Sequence, residues 1–116
     1  NLHVSMVIRN AHSDKINCLC NLVSGFFLSG SSDKTIKVWS PLEAKPIGVL
    51  EEEDEVNLML RLGKTAKNDV TLLYVAKNSL RFLSIQQAKA IQLYKDKIEI
   101  TAISKISGNN TLVALE

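Results

Sequence analysis

Short segments with strand-forming residues recur at fixed spacings along this chain of 116 residues. Three pairs of segments correspond: residues 35–40 with 79–84, residues 45–49 with 89–93, and residues 14–16 with 96–98. The first two pairs share one offset of 44 residues. Because turn residues separate these runs and no helical period is sustained, the sequence predicts an all-β fold made of repeated units.

Each repeated unit is interpreted as four antiparallel strands. In the first unit we expect strands at residues 16–22, 26–30, 35–39 and 46–50. The predicted organisation has four parts. Residues 1–11 hold an outer strand of a preceding unit (4–8) and a loop, 12–50 a whole unit, 51–95 a second whole unit, and 96–116 half of a third.

The segment from His12 to Trp39 resembles one WD repeat of a β-propeller. It has a histidine loop, a strand, a Ser/Gly-rich strand that ends in a turn containing Asp33, and a strand that ends in Trp39. The resemblance implies an all-β fold of WD-type propeller blades. Since a blade takes about 40 to 45 residues and a ring about 4 to 8 blades, we expect an incomplete ring here. The remaining blades would come from the same chain or from a neighbouring chain.

The resemblance also implies a buried hydrogen-bonded set of His12, Asp33, Ser29 or Ser31, and Trp39. Such a set is chemically reasonable, because a buried imidazole needs a partner for each nitrogen. The alternative is a hydrolase triad of His, Asp and Ser. That alternative is disfavoured, because a nucleophile needs an exposed position at a strained turn, whereas Ser29 and Ser31 lie in a middle strand beside an indole. We therefore expect no enzyme activity.

The sequence predicts no cofactor and no metal site. His3 has no partner at ligand spacing, and Cys18 and Cys20 have no second cysteine pair with which to hold zinc. The two cysteines are expected to be buried small apolar residues.

The second unit departs from the pattern of the first. Lys77 stands for Asp33, Leu83 stands for Trp39, and Val56 lies near the position of His12. These changes predict a divergent second blade that lacks the polar set and is held by apolar packing.

The charge of the chain is nearly balanced, with 14 basic and 12 acidic residues and a net charge of +2. This composition gives no strong indication of membrane or nucleic-acid binding, and 5% aromatic residues are too few for a base-stacking surface. Five consecutive acids occupy positions 51–55. They are interpreted as a solvated loop, with capture of a basic peptide as the alternative.

Non-catalytic binding of proteins or peptides is the function that the resemblance implies, as a scaffold within a larger protein or complex. The alternatives are a substrate adaptor of an enzyme or ubiquitin-ligase system, and an architectural subunit of a ribonucleoprotein or cytoskeletal assembly. The location is expected to be intracellular, in the cytoplasm first and in the nucleus or cytoskeleton otherwise. The predicted partner face lies where the loop before each blade meets the tight second turn. Its candidate residues are Asp14, Lys15, Ser32, Lys34, Glu52, Glu53, Asp54, Glu55, Lys77 and Asn78.

Overall fold

The computed structural model describes residues 7–64, 69–87, 89–107 and 110–115. These residues form strands and no helix, so the predicted all-β class is confirmed. Sheet 1 contains β1 (Ile16–Asn21), β2 (Phe27–Ser31), β3 (Thr35–Trp39) and β4 (Pro46–Glu51). Sheet 2 contains β5 (Val56–Lys64), β6 (Val70–Ala76), β7 (Ser79–Ser84) and β8 (Lys89–Lys95), and sheet 3 contains β9 (Ile100–Ser107) and β10 (Asn110–Leu115).

Every strand of the sheets pairs antiparallel with its neighbours in the sequence, so both larger sheets are meanders. The sheets pack face to face in chain order and do not close a ring. The division into blades at 12–50, 51–95 and 96–116 stays a prediction. Of the strand predicted at residues 4–8, residues 4–6 lie outside the described part, and residues 7 and 8 are not in a strand.

The turn between β1 and β2 depends on Ser24 and Gly25. Both have positive φ angles, 58° and 82°. The amide of Phe26 donates to the carbonyl of Val23 at 3.2 Å. Two successive left-handed residues give a turn whose twist matches the right-handed twist of the strands, which is why a serine-glycine pair suits this position.

The turn between the second and third strands differs between the two larger sheets. In sheet 1 three residues separate β2 from β3, and the last of them, Lys34, has a φ of 71°. In sheet 2 only Lys77 and Asn78 separate β6 from β7, and Lys77 has a φ of 57°. The second turn is one residue shorter, so the single offset of 44 residues does not hold across it.

The main apolar core lies between sheets 1 and 2. Leu28 and Ile36 contribute from sheet 1, and Leu72, Tyr74 and Val56 contribute from sheet 2. A side chain of this size stabilises the fold by roughly 1.5 to 3 kcal/mol when fully buried. Alternate residues of each strand point to opposite faces, so only one face of sheet 1 takes part in this core.

Gly30 in β2 lies where sheets 1 and 2 approach each other closely. A Cβ atom on this residue would lie 2.6 Å from Val56 Cγ1 and 2.7 Å from Cys18 Sγ. Close approach of β2 to β5 therefore requires a residue without a side chain at this position.

Both cysteines border this core as free thiols, Cys20 buried and Cys18 partly buried. Burial raises the pKa of the Cys18 thiol to about 11, so this thiol is protonated at neutral pH and behaves as a small apolar side chain.

A second core lies between sheets 2 and 3 and contains Leu73, Val75, Leu80 and Ile100. All seven residues of β6 are buried, because sheet 1 covers one face of the strand and sheet 3 covers the other. Among the described residues, no further sheet covers the face of sheet 1 that points away from sheet 2, and Leu19 on it is 65% exposed. Sheet 2 is thus the layer with neighbours on both sides.

Candidate functional site

His12 lies in the loop that precedes β1, and its ring has hydrogen-bond partners at both nitrogens. Nδ1 lies 2.8 Å from Asp33 Oδ2, and Nε2 lies 2.6 Å from Ser29 Oγ. The indole Nε1 of Trp39 donates to the same Ser29 hydroxyl at 2.8 Å. A neutral imidazole with its proton on Nδ1 satisfies this set: it donates to Asp33 and accepts from Ser29, which accepts from Trp39. We call these four residues the first loop anchor.

Within the first loop anchor, the Asp33 carboxylate accepts the largest number of hydrogen bonds. Its carboxylate accepts from the hydroxyl of Thr35 at 2.6 Å, from the amide of Thr35 at 2.9 Å and from the amide of Ser13 at 3.1 Å. Burial alone would raise the pKa of Asp33, but the hydrogen bonds from Thr35, His12 and Ser13 outweigh burial and lower the pKa to about 2. The carboxylate is therefore held in its charged form.

Ser31 is not part of this set, although the sequence allowed either serine. Its hydroxyl donates to the carbonyl of Lys15 at 2.8 Å and accepts from the amide of Asp33 at 3.0 Å. Ser31 thus holds the start of β1 against the turn, while Ser29 joins the histidine to the indole. The two serines have separate tasks within one strand.

The first loop anchor is a buried structural hydrogen-bond network. The His12 side chain is fully buried and that of Asp33 is 7% exposed. Ser29 is 1% exposed, and its oxygen is shared between an imidazole and an indole. A catalytic serine needs an accessible oxygen that is free to attack a substrate, so this arrangement does not present a nucleophile.

The predicted partner face is brought together by backbone hydrogen bonds between neighbouring sheets. The amide of Glu52 donates to the carbonyl of Lys34 at 2.8 Å, and the amide of Asp96 donates to the carbonyl of Asn78 at 2.9 Å. Each bond joins the tight turn of one sheet to the loop before the next sheet. These turns and loops therefore form one continuous edge, which we call the loop face.

Nine of the ten predicted partner-face residues are at least partly accessible, and Ser32 is buried. Glu52, Asp54 and Asn78 are partly buried, and six residues are exposed: Asp14, Lys15, Lys34, Glu53, Glu55 and Lys77.

The placement of Ser32 and Glu52 on that surface is wrong, because both side chains point inward. Ser32 accepts from Asn17 Nδ2 at 2.9 Å. The side chain of Glu52 is 7% exposed and accepts from the hydroxyl of Tyr74 at 2.5 Å, while its other oxygen lies 3.4 Å from Arg81 Nε. The acidic run is thus not a uniformly solvated loop. Burial, followed by the bond to Glu52, raises the pKa of Tyr74 above its ordinary value.

Asn17 is a residue that sequence reasoning missed. Its side-chain amide donates to the carbonyl of Val56 at 3.0 Å and to Asn57 Oδ1 at 3.1 Å, and so joins sheet 1 to sheet 2. Asn57 in turn donates to Glu99 at 3.4 Å, toward sheet 3. Asparagine recurs as the second residue of the first strand in sheets 1 and 2, which is a signal the sequence contained.

No group of three or more His, Cys, Asp or Glu side chains suited to a metal ion occurs among the described residues. His3 lies outside them. None of the described segments forms a helix long and apolar enough to cross a membrane.

Residues 4–40 match the family model described as WD domain, G-beta repeat. A kinesin-related protein, Kinesin-related protein 8 of Dictyostelium discoideum, is 47% identical over 36 residues, which cover 31% of this chain and 2% of that protein. WD repeats generally mediate protein–protein interaction, and WD-repeat domains are typically non-catalytic. The matched segment contains the first loop anchor, and both larger sheets have four antiparallel strands like propeller blades. Residues 4–40 therefore match a WD repeat, and the sheets that follow are consistent with a divergent WD-repeat fragment.

Proposed function

We propose that this chain is part of a non-catalytic scaffold that binds other proteins or peptides through the loop face. The observation that carries the proposal is the pair of backbone bonds from Glu52 to Lys34 and from Asp96 to Asn78. They hold loops from successive sheets in one edge before any partner arrives. A surface that is ordered in advance loses less conformational entropy on binding.

The charges of the loop face indicate which partner would suit it. Lys34 of sheet 1 is followed by the exposed acids Glu53 and Glu55, and then by Lys77 of sheet 2. A complementary partner has basic groups that face Glu53 and Glu55, and acidic groups on either side that face Lys34 and Lys77. Complementarity of this kind raises the association rate and selects among partners more than it adds raw affinity.

The test begins with affinity purification of partners on the intact protein, followed by charge reversal. We expect Lys34→Glu and Lys77→Glu to weaken binding of the recovered partner by about tenfold or more and to reduce its salt dependence. Lys45→Glu is the matched control, because Lys45 is equally exposed but lies in the β3–β4 connection, at the opposite end of sheet 1. An equal loss of binding affinity in Lys45→Glu and in the two loop-face variants would overturn the proposal.

The same purification distinguishes the competing functions. Recovery of a ubiquitin-ligase component would favour a substrate adaptor, and recovery of ribonucleoprotein or cytoskeletal components would favour an architectural subunit.

A further inference from the structure

Glu52 and Tyr74 occupy the positions in sheet 2 that His12 and Ser29 occupy in sheet 1. Strand pairing establishes this, since Ile16 pairs with Ser31 and Val56 pairs with Ala76. His12 lies four residues before Ile16, and Glu52 lies four residues before Val56. Ser29 and Tyr74 each lie two residues before the paired partner. Val56 thus matches Ile16, and the residue that matches the histidine is Glu52.

The same two positions are joined by a hydrogen bond in each sheet, although the chemistry differs. In sheet 1, His12 Nε2 and Ser29 Oγ are 2.6 Å apart. In sheet 2, the Tyr74 hydroxyl donates to Glu52 Oε2 at 2.5 Å. Tyr74 is fully buried in the core between the two sheets.

Sheet 2 has no counterpart of the Trp39 indole. Phe27 pairs with Trp39 in sheet 1, and Leu72 pairs with Leu83 in sheet 2, so Leu83 stands at the position of Trp39. A single tyrosine supplies both a hydroxyl and an aromatic ring, which sheet 1 divides between Ser29 and Trp39.

A cation from the third strand also reaches the loop in both sheets. Lys37 pairs with Ser29, and Arg81 pairs with Tyr74 at the equivalent position. Lys37 Nζ donates to the carbonyl of Ala11 at 2.8 Å, next to His12. Arg81 Nε lies 3.4 Å from Glu52 Oε1. The Arg81 contact is an ion pair without a hydrogen bond. In sheets 1 and 2, the loop before the sheet is therefore contacted both from the second strand and from the third.

We infer that Glu52, Tyr74 and Arg81 form a second loop anchor, which replaces the histidine-based set in sheet 2. These are positioning residues, because they act by fixing the loop at residues 52–55. With Glu52 held inside, Glu53 and Glu55 are the acids of this loop that are exposed on the loop face. The consequence for partner binding rests on the proposed function of that face; the anchor itself does not.

A double-mutant cycle in the intact protein tests the bond at the centre of the second loop anchor. Glu52→Met removes the acceptor and Tyr74→Phe removes the donor, and both keep the side-chain shape. Each change is expected to lower the melting temperature by about 5 °C or more, and the double variant is expected to melt no lower than the worse single variant. Glu53→Met with Tyr74→Phe is the control cycle, because Glu53 is exposed, and its effects should add. Additive effects in the Glu52 cycle would overturn the inference.

Limited proteolysis separates loop positioning from general stability. Tyr74→Phe leaves the loop sequence unchanged, so a glutamate-specific protease has the same cleavage sites at Glu53 and Glu55. We expect this variant to be cut there roughly tenfold faster than the parent, well below its melting temperature. Val75→Ala, in the core between sheets 2 and 3, should lower the melting temperature without exposing the loop. Unchanged cleavage in Tyr74→Phe would contradict the inference. Neither measurement involves a partner, so failure here is distinguishable from failure of the proposed function.

Discussion

At Ser29 a single oxygen atom serves nitrogen atoms from two distant parts of the chain. It lies 2.6 Å from His12 Nε2, in the loop before β1, and 2.8 Å from Trp39 Nε1, at the end of β3. Loss of this oxygen would leave two buried nitrogens without a partner. The serine therefore matters more to the fold than its small size suggests.

Ser29→Ala is expected to destabilise the protein by about 1 to 3 kcal/mol, the usual penalty for buried polar groups left unpaired. Denaturant unfolding of the intact protein measures this directly. Ser13→Ala is the control, because that side chain is exposed in the same loop and only its backbone amide binds Asp33. If Ser29→Ala lowered the free energy of unfolding no more than the control does, the first loop anchor would contribute little to stability.

Asp33 should make the protein sensitive to acid. Its pKa is about 2 in the folded protein, against a reference value of 3.8, because the folded state favours the charged carboxylate. The stabilisation is present above the unfolded pKa and is lost as the pH falls from about 4 through 2, and it amounts to roughly 2 kcal/mol. Unfolding free energies between pH 5 and pH 2 should fall more steeply in the parent than in Asp33→Asn. The same pH dependence of the unfolding free energy in the parent and in Asp33→Asn would contradict a lowered pKa for Asp33.

Among the strands, β2 is the element whose packing depends most on one glycine. Gly30→Ala is expected to cost about 1 to 3 kcal/mol, because the added Cβ would overlap Val56 and Cys18 unless the sheets move apart. Gly48→Ala is the matched control in β4, where the nearest atom to an added Cβ is 3.6 Å away. Thermal melts of both variants give the comparison, and equal stability would show that sheet 2 can shift without cost.

The strands and turns of sheet 1 could be predicted from local sequence, because turn residues and alternating apolar residues act over a few positions. Two features of the site could not. Ser29 and Ser31 lie on the same face of β2, so alternation along the strand does not distinguish them. Which serine binds His12 and Trp39 depends on how the loop before β1 and the end of β3 are placed along that face. The inward position of Glu52 depends on Tyr74, which is 22 residues away.

The constant offset of 44 residues does not align Glu52 with His12 or Tyr74 with Ser29, so the sequence comparison did not find the second loop anchor. The β3 and β7 strands align at 44 residues, whereas the loops before β1 and β5 align at 40 and the β2 and β6 strands at 45, as the pairing shows. A shorter turn at Lys77 and Asn78 accounts for the step between β6 and β7. A repeat whose loops differ in length cannot be aligned with one constant shift, so residues that replace one another are compared with the wrong partners.

In the whole molecule, protection from solvent should follow the order of the layers. The amides of β6 are covered on both faces and hydrogen-bonded on both edges, whereas β4 and β8 lie at sheet edges with exposed residues. Hydrogen exchange is therefore expected to be slowest in β6 and much faster in β4 and β8. Uniform protection across the three strands would show that the sheets open together.

The bonds that join each tight turn to the following loop use main-chain atoms alone, from Glu52 to Lys34 and from Asp96 to Asn78. Peptide groups are the same for almost every amino acid, so these two bonds place no demand on exposed side chains such as that of Lys34. The side chains of Glu52 and Asn78 are constrained by their own bonds, to Tyr74 and to the carbonyl of Asp96. Over evolutionary time such a rim can acquire new specificities by point substitution while its shape is inherited unchanged.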